Sequence, residues 1–153
     1  MLYKKIILAV DGSNTSNYAL QEAIKLAEDQ KAVLLVIHVV EENFGFHGGA
    51  GFDYSPLIEL YKREGQKILD QAKERISSQS SIKFETKLVQ LNSFQGRVAE
   101  VIIEETKQSA ADLLVIGTHG RRGFNHLILG SVAELAIRIA TTPVLLIRHS
   151  ANS

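Results

Sequence analysis

The chain has no cysteine. That absence excludes disulfides, thiolate nucleophiles and cysteine-ligated metal sites, and it weakly favours a reducing compartment. Charge of one sign is also missing in bulk, because 17 lysines and arginines face 17 aspartates and glutamates. A balanced chain has no global basic field, so neither nucleic acid nor an anionic membrane is an expected partner, and any anion site must be local. Long apolar runs are absent too. The N-terminal stretch MLYKKIILAVDGS resembles a secretory signal in its paired lysines, yet only residues 6–10 are apolar before Asp11 interrupts them. That core is too short for a signal, and nothing elsewhere approaches the length of a membrane span. The sequence therefore predicts a soluble, cytoplasmic protein. At 153 residues it also predicts one domain, large enough to bury roughly 70% of the surface its unfolded chain would expose. No internal repeat or low-complexity linker marks a second domain.

Five segments read as strands: residues 5–10 (KIILAV), 33–40 (VLLVIHVV), 84–91 (FETKLVQL), 112–117 (DLLVIG) and 144–148 (VLLIR). Four of them are near-continuous runs of Val, Ile and Leu, as parallel strands covered on both faces require. Four helical patterns lie between them. The first carries Ala19, Leu20, Ala23, Ile24 and Ala27, with Ser13, Asn14 or Thr15 available as its cap. The second opens at Ser55-Pro56, read as a cap and a first-turn proline, and runs through Leu57, Leu60, Tyr61, Ile68, Leu69, Ala72 and Ile76. The third shows Val98, Val101 and Ile102. The fourth starts near Ser131 and stops before Thr142-Pro143. Strict alternation of strand and helix predicts an α/β fold with a mostly parallel open sheet and right-handed crossovers. One connection, residues 41–55 (EENFGFHGGAGFDYS), is long and glycine-rich, the kind of loop that is often mobile or functional.

The segment GTHGRRGFNHLILGS, residues 117–131, joins the fourth strand to the fourth helix. In open α/β sheets ligands bind beyond the carboxyl ends of strands, where strand order reverses. The first-turn N–H groups of a helix lack intrahelical partners and favour an anion, so phosphate is the natural guest at Ser131. Gly117 and Gly120 would let backbone approach a ligand, Gly130 would remove a side chain where phosphate meets the helix, and the Ser131 hydroxyl would donate to it. There is no GxxxxGK[ST] and no GxGxxG. The spacing is Gly117-x2-Gly120-x9-Gly130-Ser131.

That spacing resembles the nucleotide-binding signature of the universal stress protein family, in its ATP-binding branch. The likeness extends to Val10-Asp11-Gly12-Ser13 after the first strand, His38-Val39 in the second, and Pro143-Val144-Leu145 at the last. It implies a Rossmann-like, adenine nucleotide alpha hydrolase-like sheet of five parallel strands in the order 3-2-1-4-5 with helices on both faces. It further implies that Ala9 and Asp11 lie near ribose or phosphates, that Val39 meets adenine through its backbone, that Ile116 and Gly117 form a wall, and that Gly120, Gly130, Ser131 and Val132 cradle the phosphates. Val10, His119 and Arg121 complete the expected ATP-binding set. Ala9 stands where some nucleotide binders of the family have proline.

Several of these residues have a second reading. Asp11 serves either as a helix cap or as a ligand to ribose or a metal. Arg121 and Arg122 have the donors to grip phosphate, but nine residues separate Gly120 from Gly130, and that excursion can carry both into solvent. His119 reads as a hydrogen-bonding or surface residue rather than a general base. His38 reads as a satisfied interior histidine, and His47 and His126 have no zinc-like spacing. No metal cluster is expected, and Mg²⁺ enters only as the companion of ATP phosphates. With one acid and no strong engine for phosphoryl transfer, the expected protein binds nucleotide, is at most a weak ATPase and has no catalytic residues. The competing reading is a dimeric interaction module of the same fold that binds no nucleotide. An adenylating enzyme would want a Ser-Gly-Gly loop where Asp11-Gly12-Ser13-Asn14 stands, and a phosphorelay receiver would want an aspartate where Leu91-Asn92-Ser93 ends the third strand. In the implied strand order the third and fifth strands are edges. The third is broken up by Glu85, Lys87 and Gln90, whereas the fifth, from Val144 to its end at Arg148, has no such defence through Ile147 and is expected to pair with its copy in a homodimer.

Overall fold

Apolar side chains on both sides of the central strands oblige the sheet to be covered twice, and four helices do the covering. The computed structural model describes residues 2–42, 51–91, 96–120 and 129–149. Its elements are β1 (Lys5–Ala9), α1 (Asn14–Gln30), β2 (Val33–Glu41), α2 (Ser55–Gln79), β3 (Phe84–Leu91), α3 (Val98–Gln108), β4 (Leu113–Gly117), α4 (Ser131–Ile139) and β5 (Val144–Ile147). The five strands form one sheet in the order β3-β2-β1-β4-β5, with every neighbouring pair parallel. Both the expected elements and the expected order are present.

The two faces divide the core by strand parity. Ile6, Leu8, Leu34, Val36, Leu113 and Val115 point to the face that α1 and α2 cover, through Ala23, Ile24, Leu69, Ala72 and Ile76. Ile7, Leu35, Ile37, Leu114 and Ile116 point to the other, against Ala99, Ile102, Ile103 and Ala136 of α3 and α4. With both parities apolar, a strand reads as a continuous run.

The helix ends refine the sequence reading. Ser13 is the cap of α1: its side chain accepts the Ser16 N–H at 3.1 Å, which selects it over Asn14 and Thr15. At α2 the expected cap is displaced. Ser55 is the first helical residue, Tyr54 holds the cap position without a capping bond from its side chain, and the Asp53 carboxylate accepts the Ser55 N–H at 3.0 Å. Pro56 sits in the first turn, where its missing N–H costs nothing. Strand ends differ from expectation by one residue at Val10, Glu41, Asp112 and Arg148. Among the described residues no helix is long and apolar enough to cross a membrane.

Asp112, the residue before β4, ties that strand to the start of β1. Its main-chain N–H donates to the Lys5 carbonyl at 2.8 Å. Its side chain accepts the N–H groups of Lys4 and Lys5 at 2.8 and 2.9 Å, closing the start of β1 against the start of β4. Those two backbone bonds, Lys4 first and then Lys5, hold the carboxyl below the ordinary aspartate value of 3.8. A depressed folded-state pKa contributes stability above that value, and the contribution is lost as pH falls through the lower folded one. Asp112→Asn should therefore be less stable than wild type at pH 7, with the gap closing at pH 3. Urea midpoints at the two pH values test this, and a gap that stays constant rules the mechanism out.

Candidate functional site

The chain leaves β1 toward β2 and β3, then returns to the other side of β1 at β4 and β5. The segments after β1 and β4 therefore diverge onto opposite faces and leave a crevice at the carboxyl edge. A cleft of about 410 Å³ opens there. Ala9, Val10 and Asp11 line it from β1, Val39 from β2, and Ile116 and Gly117 from β4. His119, Gly120, Gly130, Ser131 and Val132 line it from the connection to α4 and from that helix's first turn. Every described residue of the set expected from sequence thus borders one cleft. Arg121 lies outside the described residues, as do Arg122, His126, His47 and the middle of the long loop after β2.

Asp11 joins two of these segments. One oxygen of its carboxylate accepts the Ser13 N–H at 2.9 Å, while its own N–H donates to the Ser16 hydroxyl at 3.0 Å. Ser13 is the cap, so Asp11 supports the helix start without capping it. The other oxygen faces Gly120, where a built Cβ would come within 2.6 Å of it. Gly130 folds back on the same segment: its N–H donates to the Thr118 carbonyl at 2.7 Å, and a Cβ on it would meet that oxygen at 3.1 Å and His119 Cα at 3.4 Å. As the N-cap of α4 it offers no side-chain bond, so the first-turn N–H groups are left for another acceptor. Gly117 is bare for a different reason. A Cβ there would lie 2.8 Å from the Thr15 methyl of α1, so the missing side chain lets that helix seat against β4.

Sequence reasoning missed one wall of the cleft altogether. Tyr61, Glu64, Gly65 and Ile68 of α2 line it, together with His38, Val40 and Glu41 of β2. A visible signal was Gly65, an isolated glycine inside a helical pattern, which usually has a packing reason. Here a Cβ would strike His38 Cδ2 at 2.7 Å and Leu88 Cδ1 at 2.9 Å. His38 is the satisfied interior histidine anticipated, with Nδ1 2.7 Å from the Val10 carbonyl. Thr118 is buried, and its hydroxyl pairs with His119 Nδ1 at 3.0 Å. Val98 and Ile102 of α3 complete an apolar side opposite α2. Among the described residues lining the cleft there is no lysine or arginine, so its donors are backbone amides, hydroxyls and imidazoles. Among the described residues no group of three His, Asp or Glu could hold a metal ion.

The universal stress protein family matches residues 2–148. The chain belongs to that family. A universal stress protein of Methanocaldococcus jannaschii is 35% identical over 147 residues, which cover 96% of this chain and 83% of that one. The crystal structure of a family member from Burkholderia pseudomallei is 34% identical with a TM-score of 0.78, covering 95% of this chain and 96% of that one. Two solved structures share the fold at lower identity. A universal stress protein in complex with cAMP is 23% identical, with a TM-score of 0.69 over 98% of this chain and all of that one. The Archaeoglobus fulgidus universal stress protein in complex with dAMP is 24% identical, with a TM-score of 0.65 over 96% of this chain and 99% of that one.

Within this family fold the glycines of the cleft have separable roles. Gly117→Ala should lower stability by about 1 to 3 kcal/mol, because the added methyl overpacks against Thr15. The urea midpoint measures it, and an unchanged midpoint would show that Gly117 is not bare on account of α1.

Proposed function

We propose that this universal stress protein binds ATP or a related adenine nucleotide in the cleft and acts as a nucleotide-dependent regulatory protein. One observation carries the reading: the described residues of the expected nucleotide set, drawn from four separate stretches of chain, border a single cleft that ends at an open helix N-terminus. A volume of about 410 Å³ falls in the range of small-molecule sites. The cAMP and dAMP complexes of proteins with this fold support an adenine nucleotide as guest.

In this reading the phosphates lie against the first-turn amides of α4, the Ser131 hydroxyl and the backbone of Gly120 and Gly130. The ribose hydroxyls meet Asp11. The base lies against Ile116, Val98 and Ile102 and is read along its edge by the backbone of Val39. Mg²⁺ would arrive with the triphosphate, held by phosphate oxygens and within reach of Asp11 alone among the acids at that end. Slow or absent hydrolysis is the expectation for the described lining, which at the phosphate end supplies amides, the Ser131 hydroxyl and the Asp11 carboxylate, where phosphoryl transfer draws on lysine or arginine charge. The output is then a conformation or surface that differs with occupancy, which requires different nucleotide affinities in two states.

ATP with Mg²⁺ at a hundredfold excess over its dissociation constant adds about 2.7 kcal/mol of stability, which should raise the melting temperature by roughly 5 to 10 °C. GTP should raise it less. Ser131→Ala should weaken ATP binding by about 1 to 3 kcal/mol if its hydroxyl meets a charged phosphate. No thermal shift at millimolar ATP, with no nucleotide released from the purified protein on heating, would refute the reading in favour of a nucleotide-free interaction module.

The regulatory surface we assign is the β5 edge, as half of a homodimer. Leu145 is 37% exposed there, while Leu146 and Ile147 turn toward the core. Of the two edges, β3 exposes Glu85, Lys87 and Gln90 instead. Leu145→Lys should leave the fold intact and yield monomers by sedimentation. A wild-type monomer at tens of micromolar would sink this assignment.

A further inference from the structure

We infer that His38 is a positioning residue of the cleft: its ring takes the last acceptor of the β1–β2 ladder and so leaves the Val39 N–H turned toward the ligand. The inference deepens the nucleotide reading above and rests on it for the identity of that ligand.

The alternation of the ladder shows where each N–H of β2 points. Leu34 and Glu42 donate to Lys83 and Leu91 on the β3 side, at 3.0 Å each, so even residues face β3. Val33 donates to Lys4 at 2.9 Å on the other side, so odd residues face β1. Counting in steps of two along both strands, the acceptor for Val39 would be the Val10 carbonyl. The register ends one step earlier, at Ala9 opposite Ile37. Among the described residues the last main-chain bond between the two strands is Val10 N–H to the Ile37 carbonyl, at 2.9 Å.

The Val10 carbonyl is instead 2.7 Å from His38 Nδ1. A carbonyl only accepts, so the ring donates and carries its proton on Nδ1. A side chain has replaced a main-chain donor at the point where the sheet opens into the cleft. The ring is kept there from behind by α2, whose Gly65 approaches so closely that a Cβ would lie 2.7 Å from Cδ2. An interior helical glycine is intrinsically unfavourable, and this contact is its compensation. The same peptide unit presents Asp11, whose N–H is held by the Ser16 hydroxyl at 3.0 Å. His38 and Ser16 thus hold the Val10–Asp11 peptide from both sides, and Val39 presents a free edge to the base.

Three measurements test this. In wild type, the ¹⁵N shifts of the His38 ring should show a protonated Nδ1, and a neutral ring with its proton on Nε2 overturns the inference without any variant. His38→Leu removes the donor, so the ladder should close by one rung and the Val39 amide should exchange with solvent about tenfold more slowly, with ATP bound about tenfold more weakly. His38→Asn places an amide N–H near Nδ1 and should restore wild-type Val39 exchange and ATP affinity to within about threefold. If His38→Leu binds ATP as wild type does, the inference fails. If wild type binds no adenine nucleotide, the proposed function fails instead, and Val39 exchange still decides: slower in His38→Leu sustains the positioning role, unchanged overturns it. Should His38→Leu not fold, the wild-type tautomer alone decides between the two outcomes.

Discussion

Return of the chain to the opposite side of β1 after β3 is the constraint from which the cleft follows. Parallel strands place all their carboxyl ends at one edge, and the connections from β1 and β4 must leave that edge toward opposite faces because α1 and α4 cover opposite faces. Two neighbouring strands whose continuations part in this way cannot close the space between them. The apolar requirement on both faces secures the geometry, since a strand buried on both sides has nowhere else to go. Parity then distributes the chemistry: His38 points toward α2, and Val39, one residue on, belongs to the face of α3 and α4.

Close approach, more than flexibility, explains the glycines around the cleft. Gly117 makes room for Thr15, Gly120 for the Asp11 carboxylate, Gly130 for the backbone of Thr118 and His119, and Gly65 for the His38 ring. None of these four has a positive φ; among the described glycines that feature belongs to Gly12, Gly51 and Gly96. A motif that reads from sequence as a phosphate cradle is therefore a packing motif in the fold, and backbone that packs closely on backbone leaves its amides near the crevice. Thr118 extends this frame outward. Its N–H donates to the Ile147 carbonyl at 2.9 Å and its carbonyl accepts from Gly130 at 2.7 Å, so one residue separates the start of α4 from the edge strand β5.

Much of this was legible in the residues. Uninterrupted Val, Ile and Leu runs marked the parallel strands, helical spacing marked all four helices, and the position of Gly130-Ser131 marked the helix start that ends the cleft, because each depends on neighbours within a few positions. Ser55 misled because its cap role belongs by side chain to Asp53, two residues earlier, and both are cap formers by type. For Asp11 the structure decides one of the two readings, since Ser13 and not Asp11 caps α1.

The alternation of strands and helices, the apolar faces and the family signature are all written in the order of residues, since these are local patterns that burial imposes on any chain of this kind. The α2 wall, the bond from His38 to Val10 across 28 positions and the contact of Gly65 with that ring exist only in the packed fold. Periodicity says which side of an element is buried. It does not say against which partner, or at what distance, because that depends on how the helices settle on the sheet once all the strands have paired.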